Sequence, residues 1–122
     1  MTTFSIEKQP LDVVILMTTV PADGKSGERS EALIRSLVAE GLAACVHCLP
    51  AGTSTYRWQG KVETASEATL LIKTVHEHAD AVARRVHDEH PYELPELLAV
   101  PVTGGSQEYL DWVKAQVGTT HI

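Results

Sequence analysis

Gln59-Gly60 stands between two long extended runs, and no other feature narrows the fold of this chain as much. A two-residue loop closed by glycine joins antiparallel strands tightly, because the turn that fits strand twist needs left-handed backbone, which glycine adopts without a steric penalty. The incoming run is "LAACVHCL" and, beyond a break at Pro50/Gly52, "STYRW"; the returning run begins near Lys61 and continues through "EATLLIKT". Each arm is about fifteen residues, roughly 50 Å at the usual strand rise. The rest of the chain must be arranged around a hairpin of that length.

The flanking segments supply two helices and two more strands. "DVVILMTT" (12–19) is apolar on both alternating faces, the pattern of a central strand buried on both sides. After the turn-rich "PADGKSGE", Leu33, Ile34, Leu37 and Val38 recur at helical spacing, and Gly41 is placed to cap a helix ending near Glu40. A second helix buries Ala79, Val82, Ala83 and Val86, opens on a capping box from Thr74 to Glu77 and stops at Pro91. "ELLAVPV" (96–102) reads as a fourth strand, with Pro101 suited to an edge. Ser106 N-caps a last helix expected to bury Tyr109, Leu110, Val113 and Val117.

This order predicts an α+β protein, a ferredoxin-like βαββαβ split sandwich with a long central hairpin and a C-terminal helix. Both crossover helices then share one face of an antiparallel sheet whose first and third strands are central. Residues 1–11 read as an N-terminal arm and 12–122 as a single domain, since 122 residues are enough for one compact domain and too few for two.

Charge and composition exclude several functions. Ten Lys and Arg against sixteen Asp and Glu give a net charge of −6, which argues against nucleic-acid binding through clustered basic side chains. The run "VVILM" is too short for a membrane span, and with Glu7 and Asp12 before it and no basic leader it is no signal peptide. A cytoplasmic protein is expected, its two cysteines kept as thiols. No nucleophile elbow, P-loop, Rossmann glycine fingerprint or H-E-x-x-H occurs, so no enzyme activity is expected.

The hairpin is longer than the helices that cover it, which span about 22–25 Å. Its distal part, with Tyr56 and Trp58, would leave aromatic surface and strand edges open, and a closed homo-oligomer is the expected remedy.

Beyond this pattern, "GLAACV", "YRWQGKVE", "LLIKT" and "HPYELPELLAVPV" occur in the order seen in the CutA family of divalent-cation tolerance proteins, which the chain resembles from about Asp12 to Val117. The most specific pieces are His90-Pro91-Tyr92-Glu93-x-Pro95-Glu96 and Tyr56-x-Trp58-x-Gly60-Lys61. The resemblance implies a homotrimer with sheets joined between subunits, an architecture similar to the PII signalling proteins, and a non-catalytic role linked to copper or another divalent cation. Within the marked motif His90, Glu93 and Glu96 are the candidate metal ligands, an imidazole with carboxylates that suits Cu(II) or zinc. Beside that reading stands a structural one, in which His90 caps the helix while Tyr92 and Glu96 tie the loop to a neighbouring subunit. The chain also departs from some copper-binding relatives: it has Met17 where they offer cysteine, and Glu89 before His90 where they show a second histidine.

Tyr56, Trp58, Lys61 and Tyr92 are expected at the oligomer interface. An anion or nucleotide pocket between subunits using Lys61 and Lys73, in a PII-like sensor, is an alternative, and a structural assembly module is another. His87 and Asp88 read as a solvated helix end. In "CVHC" the strand period sends Cys45 and Cys48 to opposite faces, which leaves Cys48 with Ala44 and Val46 toward the helices. Cys45 and His47 share the other face as a candidate soft-ligand pair.

Overall fold

The computed structural model describes residues 4–6, 11–22 and 24–118; the N-terminal arm expected over 1–11 therefore lies largely outside the described residues. The chain runs β1 (Val13–Pro21), α1 (Gly24–Ala39), β2 (Cys45–Cys48), β3 (Gly52–Trp58), β4 (Lys61–Val75), α2 (His76–Glu89), β5 (Leu98–Pro101) and α3 (Gln107–Gln116). The strands make one antiparallel sheet in the order β2-β4-β1-β5, with β3 joining β4 beyond the end of β2. This is the ferredoxin-like arrangement, with β1 and β4 central and the second strand split in two at Pro50.

The hairpin turns where the sequence placed it. Gln59 and Gly60 have φ of 50° and 80°, the paired left-handed conformation of a two-residue turn, and Trp58 then pairs with Lys61. From Glu67 onward β4 is mostly buried, whereas residues 61–66 are exposed or half-exposed, so the distal hairpin does extend past the helical layer.

Two cores lie on opposite faces of the sheet. Val14, Leu16 and Val20 of β1 and Ala68, Leu70 and Ile72 of β4 meet Leu33 and Leu37 of α1 and Ala79, Val82 and Val86 of α2. Val13, Ala44 and Val75 meet Leu110, Val113 and Val117 around α3. Both crossover helices thus share one face, and the last helix closes part of the other.

Several local expectations are corrected. Helix α1 begins at Gly24, inside the stretch expected as a turn. The capping box at Thr74 does not form: Thr74 is still in β4, its hydroxyl donates to the Leu42 carbonyl at 2.6 Å, and the N-cap of α2 is Val75 without a side-chain bond. The Asp12 carbonyl instead accepts from the His76 N–H at 2.8 Å. Tyr109 is exposed rather than buried; its ring stacks on Trp112 with centroids 5.6 Å apart and lies under Lys73 Nζ at 5.7 Å. Cys48 is exposed rather than core, because β2 is an outer strand of the sheet and ends at this residue. Ala44 packs with α3 rather than α1 and α2, since a bend ahead of β2 interrupts the strand alternation.

Candidate functional site

Pro91 ends α2 and forces the chain into an extended turn, residues 90–97, that leads to β5. This turn is fastened to β1 at both ends. At one end His90 Nε2 donates to the Thr19 carbonyl at 2.6 Å, and at the other the Thr18 hydroxyl donates to the Glu96 carbonyl at 2.6 Å. Two neighbouring residues of β1 therefore set the position of the whole motif.

His90 is buried, with 6% of its surface exposed. Its second ring nitrogen, Nδ1, accepts from the Tyr92 N–H at 3.0 Å, which fixes the neutral Nε2–H tautomer. Burial holds this imidazole below the usual histidine range, against the opposing effect of the Thr19 bond. Both nitrogens are thus engaged, one by β1 and one within the turn. The Tyr92 ring lies 4.8 Å from the imidazole centroid, and its phenol is pushed up to about 12, first by burial and then by hydrogen bonding to the Glu67 carboxylate.

Between this turn and the hairpin lies a cavity of about 870 Å³ lined by Thr19, Ser54, Thr55, Tyr56, Trp58, Glu67, Tyr92, Glu93, Leu94, Pro95 and Glu96. Ser54, Tyr56 and Trp58 alternate onto one face of β3, and the register of Gly52 with Glu67 puts Glu67 on that same face. Glu67 is 9% exposed, whereas Glu93 and Glu96 are open to solvent. Among the described residues the cavity wall therefore carries three carboxylates and three aromatic rings, and no Lys or Arg.

The sequence-derived candidates fall into separate places. Glu93, Glu96, Tyr56, Trp58 and Tyr92 come together around the cavity, with His90 behind the wall. Lys61 sits at the hairpin tip opposite Trp58, while Lys73 lies twelve residues further along one extended strand, ~40 Å away within one chain. Cys45 and His47 share a face of β2, in register with Lys73 and Leu71 and away from the cavity. Met17 is half-buried on β1, opposite Leu71 and Leu98. Among the described residues no three His, Cys, Asp or Glu side chains form a group that would hold a metal ion.

Sequence reasoning missed Thr18, Thr19 and Glu67. Thr18 carried a signal, a hydroxyl on the face of β1 that bears Val14, Leu16 and Val20, whereas Thr19 acts through its backbone carbonyl and Glu67 follows the largely polar start of β4, so neither is marked locally.

The fold and this cavity define a class: a ferredoxin-like protein whose motif residues shape a wall and a groove. The family model of the CutA1 divalent ion tolerance protein matches residues 14–116. The divalent-cation tolerance protein CutA of Pectobacterium atrosepticum is 41% identical over 106 residues, 87% of this chain and 93% of that one. The crystal structure of CutA from Xylella fastidiosa superposes with a TM-score of 0.80 at 47% identity, covering 88% of this chain and 99% of that one. A structure described as the PII-like protein CutA from Nostoc sp. PCC 7120 superposes with a TM-score of 0.77 at 33% identity, over 86% and 97% of the two chains. The chain belongs to the CutA1 family, and it is a non-catalytic protein of that type. Among the described residues no helix is long and apolar enough to cross a membrane.

Proposed function

We propose that the protein is a homotrimeric divalent-cation tolerance protein that takes copper, or a related divalent cation, on the carboxylates at the mouth of the cavity. The observation that carries this reading is the pair Glu93 and Glu96, solvent-facing on a turn fastened to β1 at both ends, in a wall without a basic side chain. Such a turn presents its carboxylates with little ordering cost on binding. His90 serves as the fastening rather than as a ligand in this reading, because its only lone pair accepts from the Tyr92 N–H. With two carboxylates from the chain, water completes the coordination of the ion, and affinity follows the usual order in which copper leads.

Assembly is supported by what the sheet leaves open. The outer edges of β2, β3 and β5 have no strand neighbour among the described residues, and Val62 on the distal hairpin is 66% exposed, with Leu98 on β5 54% exposed. A cyclic trimer pairs such edges identically in every subunit. The unbridged Cys45 and Cys48 suit the reducing cytoplasm.

Native mass spectrometry with and without added Cu(II) and Zn(II) tests both parts together. The expected result is a trimer that takes up Cu(II), with Glu93→Gln/Glu96→Gln weakening uptake by about tenfold or more. A folded monomer at micromolar concentration would remove the assembly reading, and a trimer that takes up no Cu(II) would remove the metal reading.

A further inference from the structure

The cavity is far larger than a metal ion requires, and its inner part differs in chemistry from its mouth. A volume of about 870 Å³ falls in the range of pockets that enclose small organic molecules. Its walls include Tyr56, Trp58 and Tyr92, and its most enclosed charge is the Glu67 carboxylate, 9% exposed. With Glu93 and Glu96 at the rim, every ionisable carboxyl on the wall favours a cation. A phosphate or other anion would meet three carboxylates and no compensating Lys or Arg; the nearest lysine in register, Lys61, lies beyond the wall at the hairpin tip.

We propose that the inner cavity binds an organic ammonium ion with a flat apolar body, its charge on Glu67 and its body between Tyr56, Trp58 and Tyr92. The pairing follows from elementary forces. An ammonium donates charge-assisted hydrogen bonds to a carboxylate, and the faces of Trp and Tyr attract the same cation and cover an aromatic body. Exclusion of water strengthens both, and on this wall Glu67, 9% exposed, is the charge most withdrawn from it. Ser54, on the same face of β3 as Tyr56 and Trp58, also lines the cavity and offers a hydroxyl to a remaining ammonium proton. This inference uses the cavity of the proposed function but not its metal: Glu67, rather than Glu93 and Glu96, is the charge partner.

The test is binding of tryptamine to the full chain in its native assembly, followed by calorimetry or ligand-observed NMR at low salt. Tryptophol, which replaces the ammonium by a hydroxyl, and ATP, an anion, serve as comparison probes. Saturable tryptamine binding is expected, weakened about tenfold in tryptophol and by a similar factor in Glu67→Gln and in Trp58→Leu. Loss of affinity with added salt is also expected. The absence of saturable tryptamine binding at millimolar concentration overturns the proposal, as does equal binding of tryptophol or preferential binding of ATP. Wild-type affinity in a folded Glu67→Gln protein overturns it too, and if that variant does not fold, Trp58→Leu and the tryptophol comparison decide. Copper uptake measured on the same samples separates the two readings, since uptake without tryptamine binding sinks only this one.

Discussion

Gly41→Ala is expected to lower the unfolding free energy by about 2–3 kcal/mol, a large effect for one added methyl group. Helix α1 ends in a Schellman arrangement: the Leu42 N–H bonds to the Leu37 carbonyl at 3.0 Å and the Gly41 N–H to the Val38 carbonyl at 3.1 Å, with Gly41 at φ +73°. A side chain in that left-handed conformation costs about 1–2 kcal/mol by itself. The methyl would also stand 2.9 Å from the backbone nitrogen of Gly118, closer than packed atoms tolerate, so the C-terminal segment must move. That segment is held by the Gly118 N–H on the Gly41 carbonyl at 2.8 Å and by His78 Nε2 on the Gly118 carbonyl at 2.8 Å, and both bonds are at risk. Urea unfolding at one fixed protein concentration measures the effect. Repeating the substitution in a chain that ends at Val117 removes the steric part, and only the backbone part, about 1 kcal/mol, should remain. An equal cost in both backgrounds would show that the contact with Gly118 contributes nothing.

The second large effect concerns His90. His90→Ala should destabilise the protein by about 3 kcal/mol, because it leaves the Thr19 carbonyl and the Tyr92 N–H without partners in a buried site. The same histidine sets a pH dependence whose sign is fixed by its environment. Burial lowers its folded value below the ordinary 6.5, so the unfolded chain binds its proton more readily than the folded one. Stability from this group is therefore fully present above pH 6.5 and is lost as the pH falls through 6.5 toward the lower folded value. Denaturation of the wild type and of His90→Gln between pH 5 and 7.5 isolates it: the difference in stability between the two should shrink on acidification. A difference that grows with acid would contradict the neutral, doubly bonded imidazole.

Much of the fold was legible in the sequence because its signals are local. The strand period, the Gln59-Gly60 turn, the Gly41 cap and the apolar face of α2 each depend on residues within one or two turns of one another. The errors came from distant partners. Thr74 has the spacing of a capping residue, but its hydroxyl meets the carbonyl of Leu42, thirty-two positions away, and no local pattern announces that. Tyr109 has the helical spacing of a core residue, yet Lys73 and Trp112 hold it at the surface. At the candidate site the motif from His90 to Glu96 was visible as a motif, while its attachment to Thr18 and Thr19 and the enclosure of Glu67 arise only once β1, β4 and the turn lie side by side. Glu67 in particular reads as an ordinary solvent-facing strand residue until the turn carrying Tyr92 folds over it.

The pairing of β1 with β4 also sets an order in time. The β3–β4 hairpin joins residues that are neighbours in the chain and closes within microseconds as an isolated event. Val13, by contrast, pairs with Val75, and between them lie α1, β2 and the whole hairpin. The entropy of closing that long loop must be met before Leu16 and Leu70 reward it. While the chain is being made, its first strand therefore stays without its principal neighbour until β4 has emerged, and gains its other neighbour only with β5.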